Sequence, residues 1–264
     1  MMETIKGIRT AEGVAQIDYD VLSNKPVIVN PNLLDNWYFG NPVNQRGQTE
    51  YTAQGYSIDR WYIKSNATKI TLLTDGIKMG KAISNGYAMF SQYVEDIIEG
   101  SPLTLSAICE DKLGVATSGE NWTYPTEGET NIAVKYLQVL SGANIAIIAA
   151  AQSNGLVRVA FYFGGSLDVT LAQTILKAVK LELGDVQTLA HQNDSGNWIL
   201  NEIPNYADQL ARCQRYFQVF RTETERKTYC EDFRPTMRTT DRGEVAKSTI
   251  TINGVTYYTA TADL

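Results

Sequence analysis

The sequence predicts an all-β chain of the sandwich or barrel kind, and three observations carry that expectation. Short β-favouring runs follow one another between Gly, Asn, Asp and Ser residues: "YSIDRWYIKS", "TKITLLTDG", "GIKMGKAIS", "LTLSAICED", "NIAVKYLQVLSG" and "LVRVAFYFGG". Several of them alternate with period two, the spacing that sends successive side chains to opposite faces of a sheet. Near the C-terminus, "STITINGVTYYTATADL" reads as a hairpin around Asn253-Gly254, a pair that readily adopts the left-handed conformation such turns require.

Taken in order, residues 1–30 lack sustained periodicity and are punctuated by Gly7, Gly13 and Pro26, with Pro31 next. They read as an extended arm that docks onto another surface. Strand-like texture begins at Leu33. In "KAVKLELG", Val179, Leu181 and Leu183 are expected to face a core while Lys180 and Glu182 face water. "ANIAIIAAA" fits a strand covered on both sides or a short buried helix, and "GYAMFSQYVEDIIEG" is equally ambiguous. After Gly184 the chain turns polar and rich in turn formers. "IPNYADQLARCQRYFQVF" then reads as a helix over 205–217, capped by Asn205, with Tyr206, Leu210, Cys213 and Phe217 stacked on one face. That face needs a partner: either the open edge of the sandwich, or the same helix of a second subunit, in which case these four residues form an oligomer interface.

The 264 residues suffice for one large β domain with a sizeable core, and 44% apolar and 20% charged residues fit an ordinary globular protein. A net charge of −6 disfavours nucleic acid as a partner, because binding through phosphates needs a positive surface. The mixed charges between Arg221 and Lys247 read as a solvated face. Cys109, Cys213 and Cys230 are widely spaced, which suggests neither a disulfide framework nor a zinc site. No apolar run approaches the roughly 18 residues of a membrane span. "MMETIKGIRTAEG" has no apolar segment of the signal-peptide kind, so synthesis in a cytoplasm is expected, with release by lysis or within an assembly.

Catalytic patterns are thin. The single His191 lies in a polar segment without a GxSxG elbow, and "DGIKMGKAI" misses the spacing of a phosphate-binding loop, reading as a hairpin instead. A carboxylate pair for glycoside cleavage is defined in space and cannot be located by spacing. No EF-hand spacing points to calcium, and neither metal nor cofactor is expected. What remains is recognition by aromatic planes. A sugar offers apolar C–H faces and a rim of hydroxyls, which Trp and Tyr platforms flanked by Asn, Gln, Arg and Asp complement. Two segments have that mixture: "NWYFGNPVNQRGQTEYTAQGYSIDRWYI", which contributes Gln45, Arg46 and Tyr51, and "SGENWTYPTEGET", which contributes Asn121, Trp122 and Tyr124. Trp37, Phe39, Ile58 and Trp61 of the first segment are expected in the core, whereas Trp122 and Tyr124 sit in a loop too polar to be buried throughout.

The run "LLDNWYFGNPVNQRG…YSIDRWYI", with "FSQYVEDIIEGSPLTLSA", "AVKLELG" and "YADQLARCQRYF" following in order, resembles a module of tail-fibre and other virion structural proteins of phages and prophages. The arm's "GIRTAEGVAQIDYDVLSNKP" is similar too, and Trp37, Asn44, Arg46, Asp59, Arg60 and Trp61 match the module's signature. The resemblance implies a jelly-roll β-sandwich like those of carbohydrate-binding modules over 31–190, a virion-docking arm over 1–30, and a helix with a C-terminal β region, a candidate distal tip, over 191–264. It further implies a non-enzymatic trimer on the virion surface that contacts other virion proteins through its arm and meets host-surface glycan. The alternatives are a purely structural role, as head fibre, decoration protein or tail connector, and a glycan depolymerase. Residues 221–264 match less clearly and are open to host contact.

Overall fold

The computed structural model describes residues 8–10, 13–15, 29–64, 68–81, 88–95, 97, 101–110, 112–117, 134–138, 145–151, 156–163, 174–229, 237 and 245–262. In the arm, β1 (Ile8–Thr10) and β2 (Gly13–Ala15) form a small antiparallel pair. Two six-stranded antiparallel sheets then make the body of the chain.

The first sheet draws on β3 (Glu50–Tyr51), β6 (Thr68–Leu73), β7 (Gly76–Lys81), β9 (Leu103–Cys109), β10 (Lys112–Thr117) and β14 (Thr174–Leu183), in the order β10-β9-β14-β7-β6-β3. The second contains β4 (Gly55–Tyr56), β5 (Tyr62–Ile63), β8 (Ala88–Val94), β11 (Val134–Gln138), β12 (Ile145–Ala151) and β13 (Val157–Phe163), in the order β11-β12-β13-β8-β5-β4. The chain crosses between sheets after β3, β5, β7, β8, β10 and β13, and the fold is mainly β, a sandwich of the jelly-roll kind. The two ambiguous segments contribute strands where they are described, β8 and β12. The near miss to a phosphate loop is the β6–β7 hairpin, joined by Thr74 and Asp75. "YSIDRWYI" is not one strand but two short ones separated by a turn in which Arg60 takes a φ of 71°.

Trp37, Phe39, Ile58 and Trp61 are buried as expected. The Phe39 ring meets Trp61 edge-on at 5.3 Å, and Trp61 stacks on Phe90 at 4.8 Å. Phe161 lies 5.8 Å from Trp61. Rings at such separations add roughly 0.5–1.5 kcal/mol per pair beyond their area burial, and the nest packs Phe39, on the segment that pairs with β14, against rings of the second sheet. Ile70, Met79, Leu105 and Leu181 from the first sheet and Val157 and Val159 from the second extend the same core.

One expected surface is interior. Lys180 and Glu182 point away from Val179 and Leu181, as period two requires, yet both are fully buried. They are covered by a strap, residues 184–203, whose β15 (Ala190–Gln192) and β16 (Trp198–Leu200) form a hairpin. Lys180 Nζ lies 3.4 Å from Glu202 Oε1 and 3.9 Å from Glu182 Oε2, while Thr188 donates to Glu182 through its amide and its hydroxyl. Leu183, expected in the core, is half exposed where β14 ends.

Beyond the strap, α1 (Tyr206–Gln214) begins where Asn205 accepts hydrogen bonds from the Ala207 and Asp208 amides. It stops at Gln214, short of the expected 217, because Phe217 belongs to β17 (Phe217–Phe220), which pairs with β19 (Val255–Thr261). A second helix, α2 (Glu223–Tyr229), was not anticipated. Thr222 Oγ1 accepts from the Glu225 amide and Glu225 accepts from the Thr222 amide, a capping box legible as T-x-x-E. Glu223 pairs with Lys227 at 3.1 Å on its exposed side. β18 (Ala246–Ile252) and β19 form the expected hairpin, with Asn253 and Gly254 at φ values of 49° and 78°. No helix among the described residues is long and apolar enough to cross a membrane.

Gly76 opens β7 where a Cβ would lie 2.6 Å from the Leu176 carbonyl oxygen. Gly76→Ala is therefore expected to lower the unfolding free energy by about 1–3 kcal/mol, seen as a lower urea midpoint at unchanged slope. An unshifted midpoint would mean that β7 and β14 have room to separate.

Candidate functional site

The segment richest in aromatic and polar residues builds a joint. Asp59, fully buried, accepts from Arg46 Nη1 at 2.9 Å through one oxygen and from the Gln45 amide and side chain at 3.2 and 3.0 Å through the other. The Gln45 side chain also donates to the Phe217 carbonyl at 2.8 Å. Held this way, the Arg46 guanidinium lies 3.8 Å above the Phe217 ring.

A parallel arrangement sits beside it. Asp35 accepts from Arg60 Nε at 3.1 Å and from Arg212 Nε of α1 at 2.6 Å, and the Arg60 guanidinium lies 3.4 Å above the Tyr216 ring. Asn36, at a left-handed φ of 51°, closes the corner: its side chain bonds Val43 and Asp59, and its amide donates to Gln209 of α1 at 2.7 Å. Two arginine-on-ring contacts thus fasten α1 and β17 to the sandwich, cation–π pairs that strengthen as water is excluded.

This joint takes up Gln45 and Arg46, two of the six residues expected at a ligand. Arg46 and Tyr51 are buried, and the side-chain nitrogen of Gln45 donates to both Asp59 and the Phe217 carbonyl. Tyr51 donates to Asn44 and accepts from the Gln48 amide, and burial pushes its phenol up to about 12. Asn121, Trp122 and Tyr124 lie outside the described residues. Of the four residues expected to stack on one helix face, against either the sandwich edge or a second subunit, Cys213 and Phe217 are enclosed by the chain itself, Leu210 is half-buried and Tyr206 is exposed. The inward face of α1 is instead Gln209 and Cys213, whose thiol is pushed well up by burial. These four positions therefore form no continuous stripe. Exposed His191 shares a hydrogen bond with the Asn201 side chain. Among the described residues no cluster of three or more His, Cys, Asp or Glu is placed to hold a metal ion.

The candidate site lies on the outer face of the first sheet, where the strap leaves a cleft of about 460 Å³, within the roughly 300–1,000 Å³ typical of small-ligand sites. Its rings are Tyr38 and Trp198, both half-buried and packed against the core on one side. Asp75, Glu110, Lys177 and Asn197 bring polar groups, and Ile108, Ile199 and Ile203 line the apolar part.

Local irregularities place these groups. The β14–β9 register shifts between Leu176 and Ala178, a bulge at Lys177 of the kind that re-aims a side chain. Glu110 stands at a φ of 54° in the β9–β10 turn, its amide bonded to the Ile175 carbonyl at 2.7 Å. Left-handed backbone at a non-glycine residue carries a cost and tends to gather at functional sites. Tyr38 bridges to Ala178, and its ring overlies Gly40, where a Cβ would lie 2.6 Å from the hydroxyl. Asn197 and Trp198 follow a tight turn in which the Asn193 side chain accepts from the Ser195 and Asn197 amides at 3.1 and 2.9 Å. Sequence reasoning missed this cleft, although "NDSGNWILNE" places Trp198 among turn formers just as "SGENWTYPTEG" places Trp122.

No protein-family model matches the chain, and no curated protein or solved structure matches it.

Two outcomes are expected at the joint. Asp59→Ala leaves the Arg46 charge without its carboxylate and should cost about 3–5 kcal/mol, measured by urea unfolding; a loss under about 1 kcal/mol would mean that water reaches the guanidinium. For Tyr51 the folded state resists ionisation that the unfolded chain undergoes near pH 10. Its contribution is therefore fully present below that pH and is lost as pH rises towards about 12. Tyr51→Phe should flatten the decline of stability across that interval; identical slopes for both proteins would place the alkaline sensitivity elsewhere.

Proposed function

We propose that this chain is a virion fibre or receptor-binding protein of a phage or prophage, which binds host-surface glycan in the Trp198–Tyr38 cleft without cleaving it. The observation that carries the binding part is the cleft: two aromatic planes beside two carboxylates, a lysine and an amide, on an otherwise rigid sheet face. A pyranose would lay its C–H face on a ring, while its hydroxyls donate to Asp75 and Glu110 and accept from Lys177 and the Asn197 amide. The virion part rests on the resemblance of the Leu33–Ile63 run and the pieces that follow it.

On this reading the protein works as a homo-oligomer, with three copies on one axis. Single-sugar contacts are weak, and copies on one axis raise the effective concentration of the second and third contact. Residues 1–30 are the segment assigned to other virion proteins, and the site of action is the virion surface.

A second reading, a purely structural virion component, is favoured by one observation. Trp37, Phe39, Tyr51 and Trp61 of the signature run pack in the core, and Gln45 and Arg46 serve the joint. A glycan array probed with the full chain and with Trp198→Ala, both checked for folding by circular dichroism, separates the two. Binding that weakens about tenfold or more in the variant supports the cleft. A blank array with a well-folded protein favours the structural role, and shortened glycan products would turn the assignment to a depolymerase.

A further inference from the structure

We infer that the cleft selects neutral sugars bearing an N-acetyl group, over plain hexoses and over acidic sugars; this rests on the glycan reading above. The cleft has apolar residues besides its two rings. Ile203 is 70% exposed and Ile199 44% exposed, both β-branched and beside Trp198. Isoleucines left open to water at the rim of a polar cleft gain by covering a small apolar group. An unsubstituted hexose has no such group, because every exocyclic substituent ends in a hydroxyl. An acetamido group has a methyl to cover them, an amide N–H for a carboxylate and a carbonyl for an amide donor.

Charge argues in the same direction. Among the described residues the cleft holds Asp75 and Glu110 against Lys177, in a chain of net charge −6. A uronate or phosphate would approach two carboxylates and lose the hydrogen bonds that a neutral hydroxyl or amide can donate to them. A neutral acetamido sugar avoids that repulsion and uses both acceptors. One methyl buried and one amide hydrogen bond gained together correspond to a preference of about tenfold or more over the matching hexose.

Calorimetric titration of the full chain with three tetrasaccharides tests this: β-1,4-linked N-acetylglucosamine, the matching glucose tetramer, and tetragalacturonate. The expected order is N-acetylglucosamine about tenfold or more tighter than glucose, with no heat from the galacturonate at low salt. Ile203→Ser should bring the first two affinities together while leaving the unfolding midpoint unchanged, since that side chain is mostly in solvent. Equal affinity for the two neutral tetramers, or tightest binding of galacturonate, overturns the selectivity and leaves the glycan cleft standing. If none of the three binds a folded protein, the cleft assignment itself falls.

Discussion

Two buried carboxylates set the arrangement on which the rest of the molecule depends. Asp59 and Asp35 hold Arg46 and Arg60 so that each guanidinium lies over a ring of the segment that follows α1. Ion pairs removed from water bring little net stability, because desolvation offsets their attraction. Their geometric demand is strong, however, since a guanidinium fork bound to a carboxylate fixes the plane that the ring can meet. The joint therefore acts through specificity: α1 and β17 have one seat on the sandwich, and Asn36, bonded to Val43, Asp59 and Gln209, ties that seat to the core wall.

A similar logic operates under the strap. Lys180, Glu182 and Glu202 form a polar layer where an apolar one would have sufficed, and Thr188 bonds both carboxylate oxygens of Glu182. Such a layer positions its cover in register, which a purely apolar contact would not. The cleft beside Trp198 takes its shape from that register. The same sheet face carries the bulge at Lys177 and the left-handed Glu110, so the irregular backbone of the first sheet gathers at the open end of the strap.

Local signals were the legible ones. The Asn253-Gly254 turn, the Asn205 cap and the β6–β7 hairpin depend on residues close in sequence, and each occurs where the sequence puts it. Trp37, Phe39, Ile58 and Trp61 were readable as core because large rings flanked by strands have few other places to go. What was not legible depends on partners far along the chain. Lys180 and Glu182 alternate correctly but are covered by residues 184–203, and alternation carries no information about such a cover. Phe217 continues the spacing of the α1 stripe, yet pairing with Thr261 makes it a strand residue. Gln45 and Arg46 have the chemistry of a sugar site, and a carbonyl or ring in a distant part of the chain satisfies that chemistry equally well.

The placement of β14 has a kinetic corollary. It lies between β7 and β9, and its free half is paired by residues 32–39, with Leu33 donating to Leu181 and Phe39 to Lys177. The earlier partners leave the ribosome first and wait for it. Roughly 100 residues separate β7 from β14, which at about 5–20 residues per second is on the order of 5–20 s of synthesis. Until β14 is made, one edge of β7 and, once it has itself been synthesised, one edge of β9 have no neighbour, so the nascent chain passes through a state with bare sheet edges that chaperones are built to shield.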